Sequence, residues 1–332
     1  MLTDRFSRKL DYLRVSVTDR CNLRCSYCVP PNGVDLLSHD EVLRNEEFVR
    51  LIEIFARLGI RKVRFTGGEP LVRKGFIDIV SGTRKALPDI ELCLTTNGIL
   101  LDEVLPDLKN HNIKKLNISL DTLSPGEYER ITGRDYLTKV VSNIEKALSL
   151  SFFEIKINSV LHEDIISGLE SYFDYFKNKN VIIRFIEKMP FSLAGSNKQQ
   201  VCSNDLIAEL VKMGKLVRTG KEDTKVALMY NYFFKDKYEI KIGIIPPMSH
   251  NFCSRCNRVR LTCDGYLRTC LLANHEYDLK TPYRTDMGEE AIGKIILKAV
   301  AEKPESHKYE LGMSNEGCTA LDSNRGMSKI GG

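Results

Sequence analysis

Strand-like and helix-like stretches alternate through most of this chain, and that alternation limits the fold more than any other feature. The strand candidates are LRVSVT (13–18), KVRFTG (62–67), ELCLTTNG (91–98), KLNISLD (115–121), EIKINSV (154–160) and VIIRFIEKM (181–189). Between them lie amphipathic stretches such as EEFVRLIEIFARLG (46–59) and FIDIVSGTRKAL (76–87). In YLTKVVSNIEKALSL (136–150), apolar residues fall at 137, 140, 141, 144, 147 and 148, a helical period. Strand and helix in alternation imply a parallel sheet with right-handed crossovers. A full eight-unit barrel takes roughly 250 residues. Six units take about three-quarters of that, which fits 13–213. The expected fold class is therefore α/β, an incomplete (β/α)6 TIM-like barrel open along one side.

Near residue 215 the texture changes. VALMYNYFFKDKYEIKIGIIPPMS (226–249) reads as a hairpin around KDK, followed by the cysteine-rich SHNFCSRCNRVRLTCDGYLRTCLL (249–272) and the helical EEAIGKIILKAVAEK (289–303). The expected division is 1–214 for the barrel domain and 215–332 for a C-terminal α+β extension. A hydrophobic share of 42% with 28% charged residues suits a chain with a real core. No run of 18 apolar residues occurs, and the start MLTDRFSRKLDY has no secretory pattern, so a cytoplasmic location without membrane contact is expected. The net charge of +5 suits an anionic small substrate as well as nucleic acid.

Ten cysteines in a long chain without a signal need another explanation than disulfides. Three lie within CNLRCSYC, as Cys21, Cys25 and Cys28. Four more, Cys253, Cys256, Cys263 and Cys270, lie within 18 residues. The scattered Cys93, Cys202 and Cys318 read as small core residues. The first group directly follows the first strand, at the end where barrel enzymes place their chemistry. A structural zinc site wants four protein ligands. Three thiolates on a [4Fe–4S] cube leave one iron open to a substrate or cofactor.

C-x3-C-x2-C with an aromatic before the last cysteine resembles the signature of the radical S-adenosylmethionine (SAM) enzymes. The resemblance implies that SAM chelates the open iron and that Tyr27 contacts SAM. It also implies a SAM contact by the backbone of Gly68 in TGGEP (66–70), and by Ser119 and Met189 at strand ends. The second half narrows the likeness. C-x2-C-x13-C over Cys253, Cys256 and Cys270, with Arg258 and Arg260 in CNRVRL and a terminal Gly331-Gly332, resembles the GTP 3′,8-cyclases of molybdenum cofactor biosynthesis. That family implies a second [4Fe–4S] cluster on these three cysteines, its open iron facing guanine. It implies GTP contacts at Arg14, Arg64, Thr95, Lys156, Arg258 and Arg260. Lys62 and Arg184, basic side chains in otherwise apolar strands, are weaker candidates read from the residues alone. Arginine forks suit phosphate oxygens, and R-V-R on a strand puts both arginines on one face.

The activity implied is abstraction of the ribose C3′ hydrogen by a 5′-deoxyadenosyl radical. The C3′ radical then adds to C8, and an electron and a proton complete 3′,8-cyclo-7,8-dihydroguanosine triphosphate. No side chain is needed as a strong base. The implied partners are GTP, an external electron donor and, downstream, a cyclic pyranopterin monophosphate synthase; a homodimer is compatible, and nucleic acid is not expected. Cys263 stays open: four cysteines would close the second cage, whereas D-G at 264–265 signals a tight turn that separates Cys263 from Cys270. Two rivals remain, a peptide-modifying radical SAM enzyme and a zinc-dependent nucleic-acid-binding protein. The first usually carries a longer C-terminal cysteine set, and the second lacks zinc spacing in its first group.

Overall fold

A computed structural model of the chain describes residues 1–29, 33–189, 201–220, 226–235, 237–307 and 327–331. Cys318 and Gly332, read from the sequence as a core residue and as part of the tail, lie outside the described residues. Six strands come first: β1 (Tyr12–Ser16), β2 (Lys62–Thr66), β3 (Glu91–Thr96), β4 (Lys115–Ser119), β5 (Glu154–Val160) and β6 (Val181–Ile186). They pair in chain order, each parallel to the last. Helices Asn45–Leu58, Phe76–Ala86, Leu101–Asn110 and Leu137–Ser149 occupy the crossovers. The six strands stand where the alternating runs place them, with ends trimmed; Met189 lies beyond β6 rather than in it.

The C-terminal strands extend the same sheet. β7 (Gly214–Arg218), β8 (Leu228–Phe234) and β9 (Tyr238–Ile245) form an antiparallel meander whose β9 pairs parallel with β6. β10 (Arg258–Leu261), β11 (Tyr266–Arg268) and β12 (Tyr277–Asp278) do the same at the other side, where β10 pairs parallel with β1. Among the described residues the result is one mixed, 12-stranded sheet. The β10–β11 turn is the one D-G signals. Gly265 has φ +85°, and a Cβ there would stand 2.6 Å from the Lys280 Cβ, so glycine is required on two counts.

The two faces of this sheet differ in chemistry. Leu13, Val15, Val63, Phe65, Leu92, Leu94, Leu116, Ile118, Ile155, Ile157, Ile183 and Phe185 point into the apolar core. The helix Asn45–Leu58 buries Phe48, Leu51, Ile52 and Phe55 at helical spacing. Each such side chain contributes about 1.5–3 kcal/mol. The alternate strand positions form the other face. In register across the sheet they include Tyr12 with Arg258, Arg14 with Arg260 and Arg64, Asn117 with Lys156, and Asn158 with Arg184. Parallel strands buried on both sides read as continuous apolar runs. Alternation here marks a polar, cationic face.

Candidate active site

The loop after β1 carries Cys21, Cys25 and Cys28, and it lies directly on TGGEP. The amide of Gly68 donates to Thr18 O (2.7 Å) and that of Glu69 to Arg20 O (2.8 Å). A Cβ on Gly67 would meet Thr18 O at 2.6 Å, and one on Gly68 would meet Arg20 O at 2.3 Å. Only residues without side chains allow the two loops to touch this closely. The Glu69 carboxylate, nearly fully buried, accepts from Leu71 N (3.2 Å), Thr96 Oγ1 (2.7 Å) and Asn97 N (2.7 Å). Burial raises its pKa to about 7 against those hydrogen bonds. Asn97 reaches Asn22 Oδ1 (2.7 Å) and the Cys21 sulfur (4.0 Å). Glu69 and Asn97 thus tie the loops after β1, β2 and β3 together.

None of the nine described cysteines is in a disulfide. Burial lifts the pKa of Cys25, and Asp121, Cys28 and Cys21 lift it further, so the other two sulfurs of the group lie within electrostatic reach of it. The Tyr27 hydroxyl donates to Asp121 Oδ2 (2.8 Å). Asp121 follows β4, whose last residue is the half-buried Ser119. Gly68 and Met189 are also half-buried.

Cys253 and Cys256 flank a short turn closed by Cys256 N to Cys253 O (3.1 Å). Cys270 follows β11. Burial raises the Cys253 pKa, and both Cys270 and Cys256 add to the rise, so their sulfurs lie within electrostatic reach of it. Cys256 moves the other way, down to about 7: burial opposes ionisation, but Arg258 and Lys303 outweigh it. Cys263 stands apart at the turn, fully buried in the apolar core, with its carbonyl taken by Leu43 N (2.8 Å). Cys93 is buried, as expected, but on the polar face, where its thiol donates to Glu91 (3.4 Å). Cys202 is not a core residue; it caps the helix Ser203–Met213 and is half-buried.

Between the two cysteine groups lies the cationic face. Burial, then neighbouring arginines, pull Arg14 down to about 10 and Arg184 to about 9. Burial and then Arg184, Arg64, Lys62 and Lys115 pull Lys156 down to about 8. Arg260 is lowered by burial, Arg14 and Arg258. Arg64 donates to Tyr12 Oη (2.7 Å) and Leu94 O (2.6 Å), and Arg184 to Asn158 Oδ1 (2.6 and 2.9 Å). The Arg258 guanidinium stands 4.9 Å over the Phe252 ring. The Thr95 hydroxyl is buried with no hydrogen-bond partner among the described residues. Mutually repelling cations and an unsatisfied hydroxyl suit a polyanionic ligand with oxygens and hydroxyls to share. The tail arrives here as well. Ile330 is fully buried, and Arg260 donates to the Gly331 carbonyl.

Of the residues singled out in the sequence, those on β1, β2, β5 and β10 share this face. Glu69, Asn97, Asp121 and Lys303 were missed. Glu69, Asn97 and Asp121 lie inside TGGEP, ELCLTTNG and KLNISLD, stretches already singled out, whereas Lys303 only ends the helical stretch 289–303.

Residues 15–166 match the model of the radical SAM superfamily, and residues 181–309 that of Molybdenum Cofactor Synthesis C. The chain is similar to the GTP 3′,8-cyclase of Desulforamulus reducens, at 39% identity over all of both chains. It is 37% identical to that of Clostridium perfringens over all of both chains. It is 38% identical to that of Listeria monocytogenes, over all of this chain and 99% of the relative. Among solved structures it resembles Streptococcus suis SuiB bound to S-adenosylmethionine, with a TM-score of 0.61 at 13% identity, over 89% of this chain and 66% of that one. It also resembles anSMEcpe with bound AdoMet, with a TM-score of 0.50 at 22% identity, over 60% of this chain and 58% of that one. These two likenesses concern the fold.

Proposed function

We propose that this chain, which belongs to the family of GTP 3′,8-cyclases, binds GTP on its cationic sheet face and closes the ribose C3′ onto guanine C8, the first step of molybdenum cofactor biosynthesis. It is a radical SAM lyase whose cofactors are two [4Fe–4S] clusters and SAM. When bound, these supply the electron and the 5′-deoxyadenosyl radical that removes the C3′ hydrogen.

The protein's own residues do the rest. Cys21, Cys25 and Cys28 hold the first cluster; Cys253, Cys256 and Cys270 hold the second. The donor sets fit: each is three half-buried cysteines outside any disulfide, with sulfurs in electrostatic reach of one another. Tyr27, Gly68, Ser119 and Met189 line the SAM side. Arg14, Arg64, Thr95, Lys156, Arg258 and Arg260 take the nucleotide, with Arg184 beside them. The arginines and Lys156 neutralise the triphosphate, and the Thr95 hydroxyl offers one further polar contact. The face is half-buried, which limits the water that reaches the radical.

One observation carries the reading. β10 runs parallel to β1 in register, Tyr12 opposite Arg258. Cys256 therefore stands before the N-terminal end of this strand pair, and Cys21 beyond its C-terminal end. The cationic face fills the space between, about 13 Å along five residues of β1. A nucleotide lying there has its base toward one cysteine group and its ribose toward the other.

The same face supports an incomplete barrel, with the C-terminal region 215–332 closing part of the gap. β10 and β6 are six strand spacings apart, about 29 Å in a flat sheet. Yet the Arg184 guanidinium on β6 feels Arg14 and Arg258. A curled sheet accounts for that. An external electron donor, hand-off to a pyranopterin-forming synthase and a cytoplasmic location follow from the family role.

The test is anaerobic reconstitution with GTP, SAM and a reductant. The expected product is 3′,8-cyclo-7,8-dihydroguanosine triphosphate, with deuterium passing from 3′-deuterated GTP into 5′-deoxyadenosine. Unlabelled 5′-deoxyadenosine and intact GTP would overturn the reading.

A further inference from the structure

The loop around the second cysteine group is fastened by a strap, residues 303–307, that the nucleotide site does not use. Lys303 ends the chain segment after the helix Glu289–Ala301 and is almost wholly buried, at 2% exposure. Its ammonium donates to Arg258 O (3.2 Å) and to Thr269 O. Arg258 follows Cys256 by two residues, and Thr269 immediately precedes Cys270. One buried cation therefore clamps the backbone beside two of the three cysteines.

The rest of the strap holds the third. Arg8 donates to Cys253 O (2.8 Å), Glu305 O (2.7 Å) and Pro304 O (2.6 Å), with its own charge met by Asp4 (2.6 Å). The His307 ring donates to Pro247 O (2.9 Å) and so anchors the far end of the strap.

A buried ammonium is costly unless an opposite charge meets it. Among the described residues no carboxylate forms an ion pair with Lys303. Burial opposes its charge, and the two carbonyls it bonds stand close to Cys256 and Cys270 in the chain, so its position directs the ammonium at the cysteine group. Hydrogen bonds and positive charge beside iron–sulfur ligands favour the reduced, more negative state.

We propose that Lys303 is a positioning residue for the second iron–sulfur cluster: its buried ammonium holds the Cys256 and Cys270 thiolates together and biases the cluster toward reduction. This rests on the reading of Cys253, Cys256 and Cys270 as cluster ligands. That reading has its own check, since Cys270→Ser with undiminished iron would sink it whatever Lys303 does.

The experiment uses the full-length, anaerobically reconstituted chain. Iron content, melting temperature and EPR-monitored redox titration are measured for Lys303→Met, Lys303→Arg and the exposed control Lys298→Met. Each is repeated in a Cys21→Ser background, where only the second cluster's signal remains. Lys303→Met should lower the reduced-to-oxidised ratio of the second cluster at a fixed poise about tenfold, about 59 mV for a one-electron couple. Selective loss of the second cluster's iron in the same variant would also support the proposal. Lys303→Arg should restore most of either effect, and Lys298→Met should show none. An unchanged ratio with full iron in Lys303→Met would overturn the proposal. Equal effects of Met and Arg, or iron lost from both clusters together with a lowered melting temperature, would assign Lys303 to packing alone and overturn it too.

Discussion

The Arg260 guanidinium donates to the backbone carbonyl of Gly331, so the chain's last turn is bonded to a residue of the nucleotide face. Gly331 has φ +75°, and a Cβ there would stand 2.4 Å from Thr66 Oγ1 and 3.1 Å from Ser16 Cβ. The tail fits only because this residue has no side chain. Gly331→Ala adds a left-handed backbone penalty of about 1–2 kcal/mol to that clash. The variant should behave like a chain lacking 331–332: iron content unchanged, cyclisation at least about tenfold slower. Thr66→Ala should relieve part of the defect in Gly331→Ala and none in the truncation. Full turnover by the truncated chain would show that the tail is a passive end.

Lys156 gives the nucleotide site a pH dependence of known sign. Its folded pKa, about 8, lies below the 10.5 of a free lysine, because burial and then Arg184 disfavour the charge. The destabilisation is therefore full below about pH 8 and fades as pH rises to 10.5. Lys156→Met should stabilise the ligand-free protein at pH 7 by about 1–2 kcal/mol, discounted for partial exposure, and this gain should vanish near pH 10.5. GTP restores the charge, so binding should take up a proton near pH 8, and affinity should fall above it. Calorimetry in two buffers of different ionisation enthalpy reads that proton directly. Equal apparent enthalpies in both buffers would exclude the uptake.

How much of this was legible in the sequence follows from what each feature depends on. The strands β1 to β6 were readable because short apolar runs bounded by Gly, Asn and Asp leave few other folds. Both cysteine groups were readable because metal ligation constrains spacing locally. Glu69, Asp121 and Lys303 were not, because each acts through partners far away in the chain. Glu69 bonds Asn97, Asp121 bonds Tyr27, and Lys303 bonds Thr269. A single charged letter carries no period and no spacing. The pairing of β9 with β6 and β10 with β1 was hidden for the same reason: a hairpin signal says that two strands pair, but not which sheet edge they join.

Iron content separates the first cysteine group from its zinc alternative. Two [4Fe–4S] clusters require about eight irons per chain. Cys21→Ser should lose about half of them and all SAM cleavage, while the second group keeps its iron. Stoichiometric zinc after anaerobic reconstitution would refute the assignment.

Cys263 and Cys270 lie on opposite ends of one hairpin, and the difference decides which of them is a ligand. The antiparallel register, Arg260 opposite Arg268, carries the chain from Cys256 up β10 to the turn at Cys263 and back down β11 to Cys270. The return places Cys270 beside Cys253, which it perturbs, and leaves Cys263 in the apolar core beside Leu43. Four ligands would need the hairpin to fold on itself. Cys263→Ala should therefore keep about eight irons and most activity, at a stability cost below about 1.5 kcal/mol for a small apolar change. Cys263→Ser should also keep its iron but lose more stability, since a hydroxyl buried there has to find a partner. Cys270→Ser should hold only the first cluster and cleave SAM without converting GTP. Iron lost equally from Cys263→Ala and Cys270→Ser would mean a closed four-cysteine cage, and guanine would then need another means of capture.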